Sequence, residues 1–160
     1  MKKIAKILII IFTISLFKSG LVFSAGTSSE GDNNSNFYKK GKNLVYRAKK
    51  LEKKNKEDKA EKLYLKALDN FEKAYSKNKK NADILNYLGF TLRKTGNFKK
   101  AEVFYLKGLE LDKGHLGINE YLGELYVKTN RIELAKQRLN VLNGCECEEY
   151  EELKKLIENN

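Results

Sequence analysis

Leu85-Asn-Tyr-Leu-Gly-Phe-Thr-Leu92 returns 34 residues later as Asn119-Glu-Tyr-Leu-Gly-Glu-Leu-Tyr126. Leu88-Gly89 becomes Leu122-Gly123 and Leu92 becomes Tyr126. The register persists downstream, where Ala135 answers Ala101 and Leu139 answers Tyr105, each at the same offset of 34. A period of this length marks an array of like supersecondary units, none of which buries its apolar face alone. Leu85, Leu88, Gly89 and Leu92 recur at helical spacing, after Asn81 as an N-cap. Gly96-Asn97 then stops that helix, glycine permitting a left-handed cap and asparagine capping the next one. Phe98, Ala101, Phe104, Tyr105, Gly108 and Leu109 carry the second helix to near Lys113-Gly114.

The second copy turns at Thr129-Asn130, continues through Ile132, Leu134, Ala135, Leu139 and Leu142, and closes at Gly144. Beyond it, Tyr150, Leu153, Leu156 and Ile157 form one stripe of a last helix. Glu148, Glu149, Glu151 and Glu152 fill its first turns, where negative charge suits the helix dipole. Glycine inside a helix costs about 0.5–1 kcal/mol relative to alanine, so Gly89, Gly108 and Gly123 imply tightly packed helices. Tyr105 and Leu139 are the side chains expected to fill the space opposite.

Leu85, Leu88-Gly89, Leu92, Ala101, Tyr105 and Gly108 resemble the tetratricopeptide repeat pattern, a 34-residue helix–turn–helix. Leu122-Gly123, Tyr126 and Ala135 match a second copy, with Asn119 in place of its first aromatic residue. Neither copy has the terminal proline; Lys113 and Cys147 stand there. Upstream, Ala67, Phe71 and Ala74 lie 34 before Ala101, Tyr105 and Gly108. Lys54 and Asn55, however, occupy the Leu-Gly positions. Sliding the first helix by seven residues puts Leu44, Ala48 and Leu51 in the Trp, Gly and Tyr places, the signature of a lengthened hairpin. The tail Cys145 to Tyr150 resembles small exported bacterial proteins of this family that end in a Cys-x-Cys-Glu-Glu-Tyr helix. The resemblance implies an all-α solenoid of about three hairpins (residues 37–80, 81–114 and 115–147) with a capping helix at 148–158.

Composition agrees, with no Pro, no Trp and 33% charged residues. The N-terminus reads differently. Met1 to Lys6 is basic, Ile7 to Phe17 is uncharged and apolar, and Ser19 to Gly26 is rich in small residues. That is a signal-peptide pattern, too short to span a bilayer. Cleavage is expected after Ala25, with Ser24 as the near alternative. An uncleaved anchor, lengthened by Leu21 to Phe23, is the rival. Export, to a periplasm or beyond the cell, makes nucleic acid a poor partner. Gly26 to Asn36 has no large apolar residue and is expected as a disordered linker. Without residues 1–25 the chain carries 28 Lys and Arg against 21 acids, net +7. Residues 37–80 hold a net +10 and residues 81–160 a net −1. Such a basic half is either a solvated lysine face or a surface for anionic lipid or an acidic partner.

In this family the first helix of each unit lines a concave groove that holds an extended peptide or a partner helix. The resemblance places Asp83, Asn86, Phe90, Arg93 and Lys94 there, then Gly117, Glu120, Glu124, Val127 and Lys128. Phe90 is either an apolar anchor for the partner or a residue packed on the preceding helix. Relatives that clamp a chaperone's terminal carboxylate use asparagine just after Leu-Gly. Phe90 and Glu124 occupy those places, which argues against a clamp. Cys145 and Cys147 leave three readings open: a disulfide staple, packed thiols, or a working site that is redox-active or binds Cu(I). A closed zinc site needs four ligands. His115 is the only histidine, expected in an exposed turn with no nucleophile beside it. No catalytic constellation, cofactor or metal is expected, and the reading is a non-enzymatic adaptor for a protein or peptide partner. A small thiol protein and a membrane-surface repeat protein are its rivals.

Overall fold

The computed structural model describes residues 30–160. Seven helices follow in order among them: α1 (Glu30–Glu52), α2 (Glu57–Lys77), α3 (Ala82–Lys94), α4 (Phe98–Leu111), α5 (Leu116–Lys128), α6 (Ile132–Leu142) and α7 (Glu148–Glu158). The pairs α1/α2, α3/α4 and α5/α6 are hairpins, stacked so that α1, α3, α5 and α7 neighbour one another in one layer. The other layer is α2, α4 and α6.

The caps are local chemistry. The Asn81 side chain accepts from Ile84 N (2.9 Å), and that of Asn97 accepts from Lys100 N (3.3 Å). Each satisfies a backbone donor that the first helical turn leaves free. Left-handed residues close the three hairpin turns: Asn55 (φ 52°), Gly96 (φ 81°) and Asn130 (φ 57°). Asn119, standing where an aromatic residue was expected, is fully buried but satisfied. Its amide donates to the carbonyls of Lys113 and His115, and its oxygen accepts from Arg138. A polar residue thus knits the α4–α5 turn to α6.

The first hairpin is longer, with 23 and 21 residues in its helices against 13 and 14 in the next. Tyr64 sits nine residues after Asn55, as Tyr105 sits nine after Gly96. Both rings are buried at the equivalent place, Tyr64 1% exposed and Tyr105 not at all. Phe71, expected there from the offset of 34, is a second buried aromatic seven residues further on, against Gly41. Ala60, Tyr64, Ala67, Phe71 and Ala74 therefore alternate small and large along one buried seam of α2.

The helix glycines are contact points. A Cβ on Gly89 would lie 2.5 Å from the Tyr105 ring, and one on Gly108 would strike Ile118 of α5. At Gly123 the expectation is corrected: the obstructing side chain is Leu153 of α7, not Leu139. The capping helix, rather than α6, claims that space. Leu153 is its one fully buried residue; Tyr150 and Ile157 are half-buried and Leu156 is 39% exposed.

Residues 30–36, expected in the linker, belong to α1. Once a long amphipathic helix is nucleated, extending it costs little for a polar residue, and acids near its N-terminus suit the dipole. Residues 26–29 of the linker and the leader 1–25 lie outside the described residues. His115 is not an exposed turn residue. Its side chain is 14% exposed, with Nε2 3.4 Å from Asp83, and Nδ1 caps α5 by accepting from Ile118 N at 3.2 Å.

Candidate partner-binding groove

The layer of α1, α3, α5 and α7 presents an open groove of ≈ 760 Å³. Tyr38 and Lys42 of α1, Asp83, Asn86 and Tyr87 of α3, Gly117 and Tyr121 of α5 and Glu149 of α7 line it, with His115 at the mouth. Helical spacing explains the set: residues 83, 86 and 87 share one face of α3, and 117 and 121 the matching face of α5. A smaller recess of ≈ 330 Å³ adjoins it, between Lys42, Tyr46 and Lys49 on one side and Tyr87, Phe90 and Tyr121 on the other.

The expected groove residues divide. Asn86 (7% exposed), Phe90 (3%), Glu120 (4%) and Val127 (6%) are buried, so none presents a free side chain. Phe90 packs on Tyr64 of the preceding hairpin (centroids 5.8 Å apart) and on Tyr121 (5.0 Å), which corrects the exposed-anchor reading. Arg93 and Glu124 pair across α3 and α5 at 2.5 Å, and Lys94 reaches back to Glu52 of α1 at 2.6 Å. Lys128 is exposed, its ammonium 5.7 Å from the Phe98 ring centre. The family positions thus hold the hairpins together more than they face solvent.

The aromatic lining comes instead from Tyr38, Tyr87 and Tyr121. Tyr87 stacks on Phe71 (4.9 Å) and meets Tyr38 edge-on (5.7 Å). A signal for two of these lay in the repeat: Tyr87 and Tyr121 precede Leu-Gly in both copies. Burial, then nearby carboxylates, pushes the Tyr38 and Tyr121 hydroxyls well above their ordinary range. Both stay neutral donors. Asn86 leaves its Oδ1 without a hydrogen-bond partner.

At the α7 end the groove turns acidic. The carboxylates of Glu120, Glu124 and Glu152 come within 4.8 Å of one another, and Glu148 and Glu149 stand close by. Burial, the Glu124 charge and a hydrogen bond to Glu152 hold the Glu120 carboxyl at about 9, so it is protonated at neutral pH. Three carboxylates at this distance are also what an oxygen-binding cation uses, but Glu124 is already committed to Arg93. Lys49 closes the opposite wall, 5.0 Å from the Phe90 ring centre and 5.7 Å from that of Tyr121.

Cys145 and Cys147 form a disulfide with Cα atoms 5.2 Å apart, and no cysteine is free among the described residues. The bond closes the link between α6 and α7, with Cys147 as the N-cap of α7.

Stacked helix–turn–helix units of this period define an α-solenoid, and comparison with known proteins finds similar ones. A tetratricopeptide repeat model matches residues 50–114. The first such domain of human RPAP3 is similar, with 19% identity over 76% of this chain and 97% of that one (TM-score 0.53). The first such domain of Spaghetti (RPAP3), bound to the HSP90 peptide SRMEEVD, is 19% identical over 76% and 94% of the two chains (TM-score 0.52). The Arabidopsis OM64 domain is 15% identical over 77% and 98% (TM-score 0.51). A search of curated protein sequences finds no match. Residues 50–114 thus match the tetratricopeptide repeat model, and the described helices have the all-α solenoid fold of such repeats.

Proposed function

We propose that this protein is an exported adaptor that docks an extended segment of a partner protein along α3 and α5, between α1 and α7. The observation that carries this reading is the open groove of ≈ 760 Å³, walled by tyrosines and by charges of both signs. Such a surface offers stacking faces, backbone-directed hydrogen bonds and fixed charges to one strand of peptide. The Spaghetti domain holds an HSP90 peptide, and the second human RPAP3 domain an HSP70 peptide, which supports peptide docking as a use of this fold. Their carboxylate-terminated ligands are not the expected ones here, because Phe90 and Glu124 fill the places where clamping relatives carry asparagine. Export rests on the pattern of residues 1–25, and a periplasm is the compartment it suggests.

The test is in-cell photo-cross-linking from Asp83, whose side chain is 63% exposed at the groove, with Lys136 (55% exposed) on the far face as control. A discrete adduct from Asp83 alone is the expected outcome. Equal labelling from both positions overturns the groove.

One observation favours a second reading. The lysines of the first hairpin, such as Lys50, Lys54, Lys59, Lys62 and Lys66, are exposed, a surface suited to anionic lipid. No described helix is long and apolar enough to cross a membrane, so any contact through these residues would be peripheral. Vesicle binding that collapses at high salt would support it. The thiol reading now requires that the Cys145–Cys147 disulfide first be reduced.

A further inference from the structure

We propose that the docked segment carries a lysine or arginine, whose side chain seats between Tyr121 and the carboxylates of Glu149 and Glu152. This rests on the groove reading above and names the partner's chemistry: an exported protein segment with a basic residue flanked by groove-binding positions.

Two observations point to a cation. Glu148, Glu149 and Glu152 form no salt bridge among the described residues, although they crowd a small recess of ≈ 140 Å³ beside Tyr121. That volume is enough for an ammonium or guanidinium group with its last methylenes. Next, the recess already draws in a cation of the chain itself. Lys49 leans from α1 over the Phe90 and Tyr121 rings, its Nζ 3.5 Å from the Tyr121 hydroxyl, and lies within 4.0 Å of no carboxylate. An exposed lysine on four rotatable bonds is displaceable, so its place shows what charge the aromatic face prefers. An acidic residue would meet the carboxylates of Glu148, Glu149 and Glu152 here.

Glu120 sets the depth of the recess. Its proton lets it sit beneath Glu152 without adding a further charge, leaving the rim acids to face the ligand.

The experiment is selection of random nonapeptides displayed on phage against the immobilised full domain, followed by the same selection against Glu149→Gln/Glu152→Gln. Both positions are on the surface of α7, and thermal melting of the variant confirms that it stays folded. The expected result is a lysine or arginine fixed at one position of the enriched peptides, lost with the variant. In a selected peptide, replacing that residue by glutamine weakens binding roughly ten- to a hundredfold, as losing a charge-assisted hydrogen bond does. The same replacement costs the variant nothing further. Enriched peptides without a fixed basic residue overturn the cation recess and leave the groove standing. A salt-independent affinity or additive losses overturn it as well. No enrichment over a blocked surface overturns both the recess and groove docking.

Discussion

Gly89 shows how one missing side chain fixes a packing distance. Alanine would be the better helix former there, by about 0.5–1 kcal/mol. The sign reverses because an added Cβ would lie 2.5 Å from the ring of Tyr105, which is itself fully buried and cannot swing into solvent. Gly89→Ala should lower unfolding stability by about 1–3 kcal/mol, the cost of overpacking, read from urea denaturation; a neutral variant would mean that the α3/α4 seam can yield. Tyr105 carries the complementary test. Its hydroxyl is buried beside Arg93 without a hydrogen bond of ordinary geometry, so Tyr105→Phe removes a poorly satisfied polar group and keeps the ring. Stability should stay within about 1 kcal/mol of the parent or rise, and a larger loss would reveal an Arg93 bond. The small-and-large positions were legible in the sequence because they recur at 34. Phe90 was not. A residue on the first helix of a solenoid unit is covered by the hairpin before it and the helix after it, and periodicity within one helix reports neither.

At the scale of elements, the question is what α7 does when it docks. Leu153 enters the gap left by Gly123, and the same approach brings Glu149 and Glu152 onto the buried Glu120 of α5. Glu124 of α5, Arg93 of α3 and Lys49 of α1 face the cluster from the other sides. Glu120 has a folded pKa of about 9 against an ordinary 4.5, so the folded state holds its proton more tightly than the unfolded chain. Its contribution is therefore complete below about 4.5 and is lost progressively as pH rises towards 9. Glu120→Gln keeps a donor for Glu152 and cannot ionise. The variant should be more stable than the parent at pH 8, by up to about 5 kcal/mol, and should converge with it near pH 4. Parallel stability curves for the two proteins from pH 4 to 9 would refute the buried proton. The acidic first turn of α7 was legible; its meeting with Glu120 was not, because it depends on how two separated helices dock. For the same reason, charge reversal at Glu120 cannot serve as a clean test of partner binding. It would bury an ammonium in the core.

Across the whole molecule, charge is distributed along the stacking axis. The first hairpin region, residues 37–80, holds a net +10, whereas residues 81–160 hold a net −1. A solenoid is stabilised by each unit and by its contacts with neighbours, so a local excess of charge weakens the unit that carries it rather than the array as a whole. The first hairpin offsets this with its longer helices and with the seam of Ala60, Tyr64, Ala67, Phe71 and Ala74. Its length was legible from the seven-residue slide, since Lys54 and Asn55 could not serve as the buried Leu-Gly pair. The repulsion is between exposed lysines, and salt screens such charges: the Debye length falls from about 30 Å at 0.01 M to about 3 Å at 1 M. Raising ionic strength across that range should slow amide hydrogen exchange in α1 and α2 several-fold more than in α5 and α6, whose charges nearly balance. The Lys94–Glu52 pair works against the trend, because salt weakens it too, but it is a single contact of α1 against the excess charge of a whole hairpin. If protection rises equally in all three hairpins, the charge asymmetry has no energetic weight in folding. Its place would then be in binding alone: a basic first hairpin and an acidic cap at opposite ends of one groove would orient a bipolar segment, with its lysine or arginine towards α7.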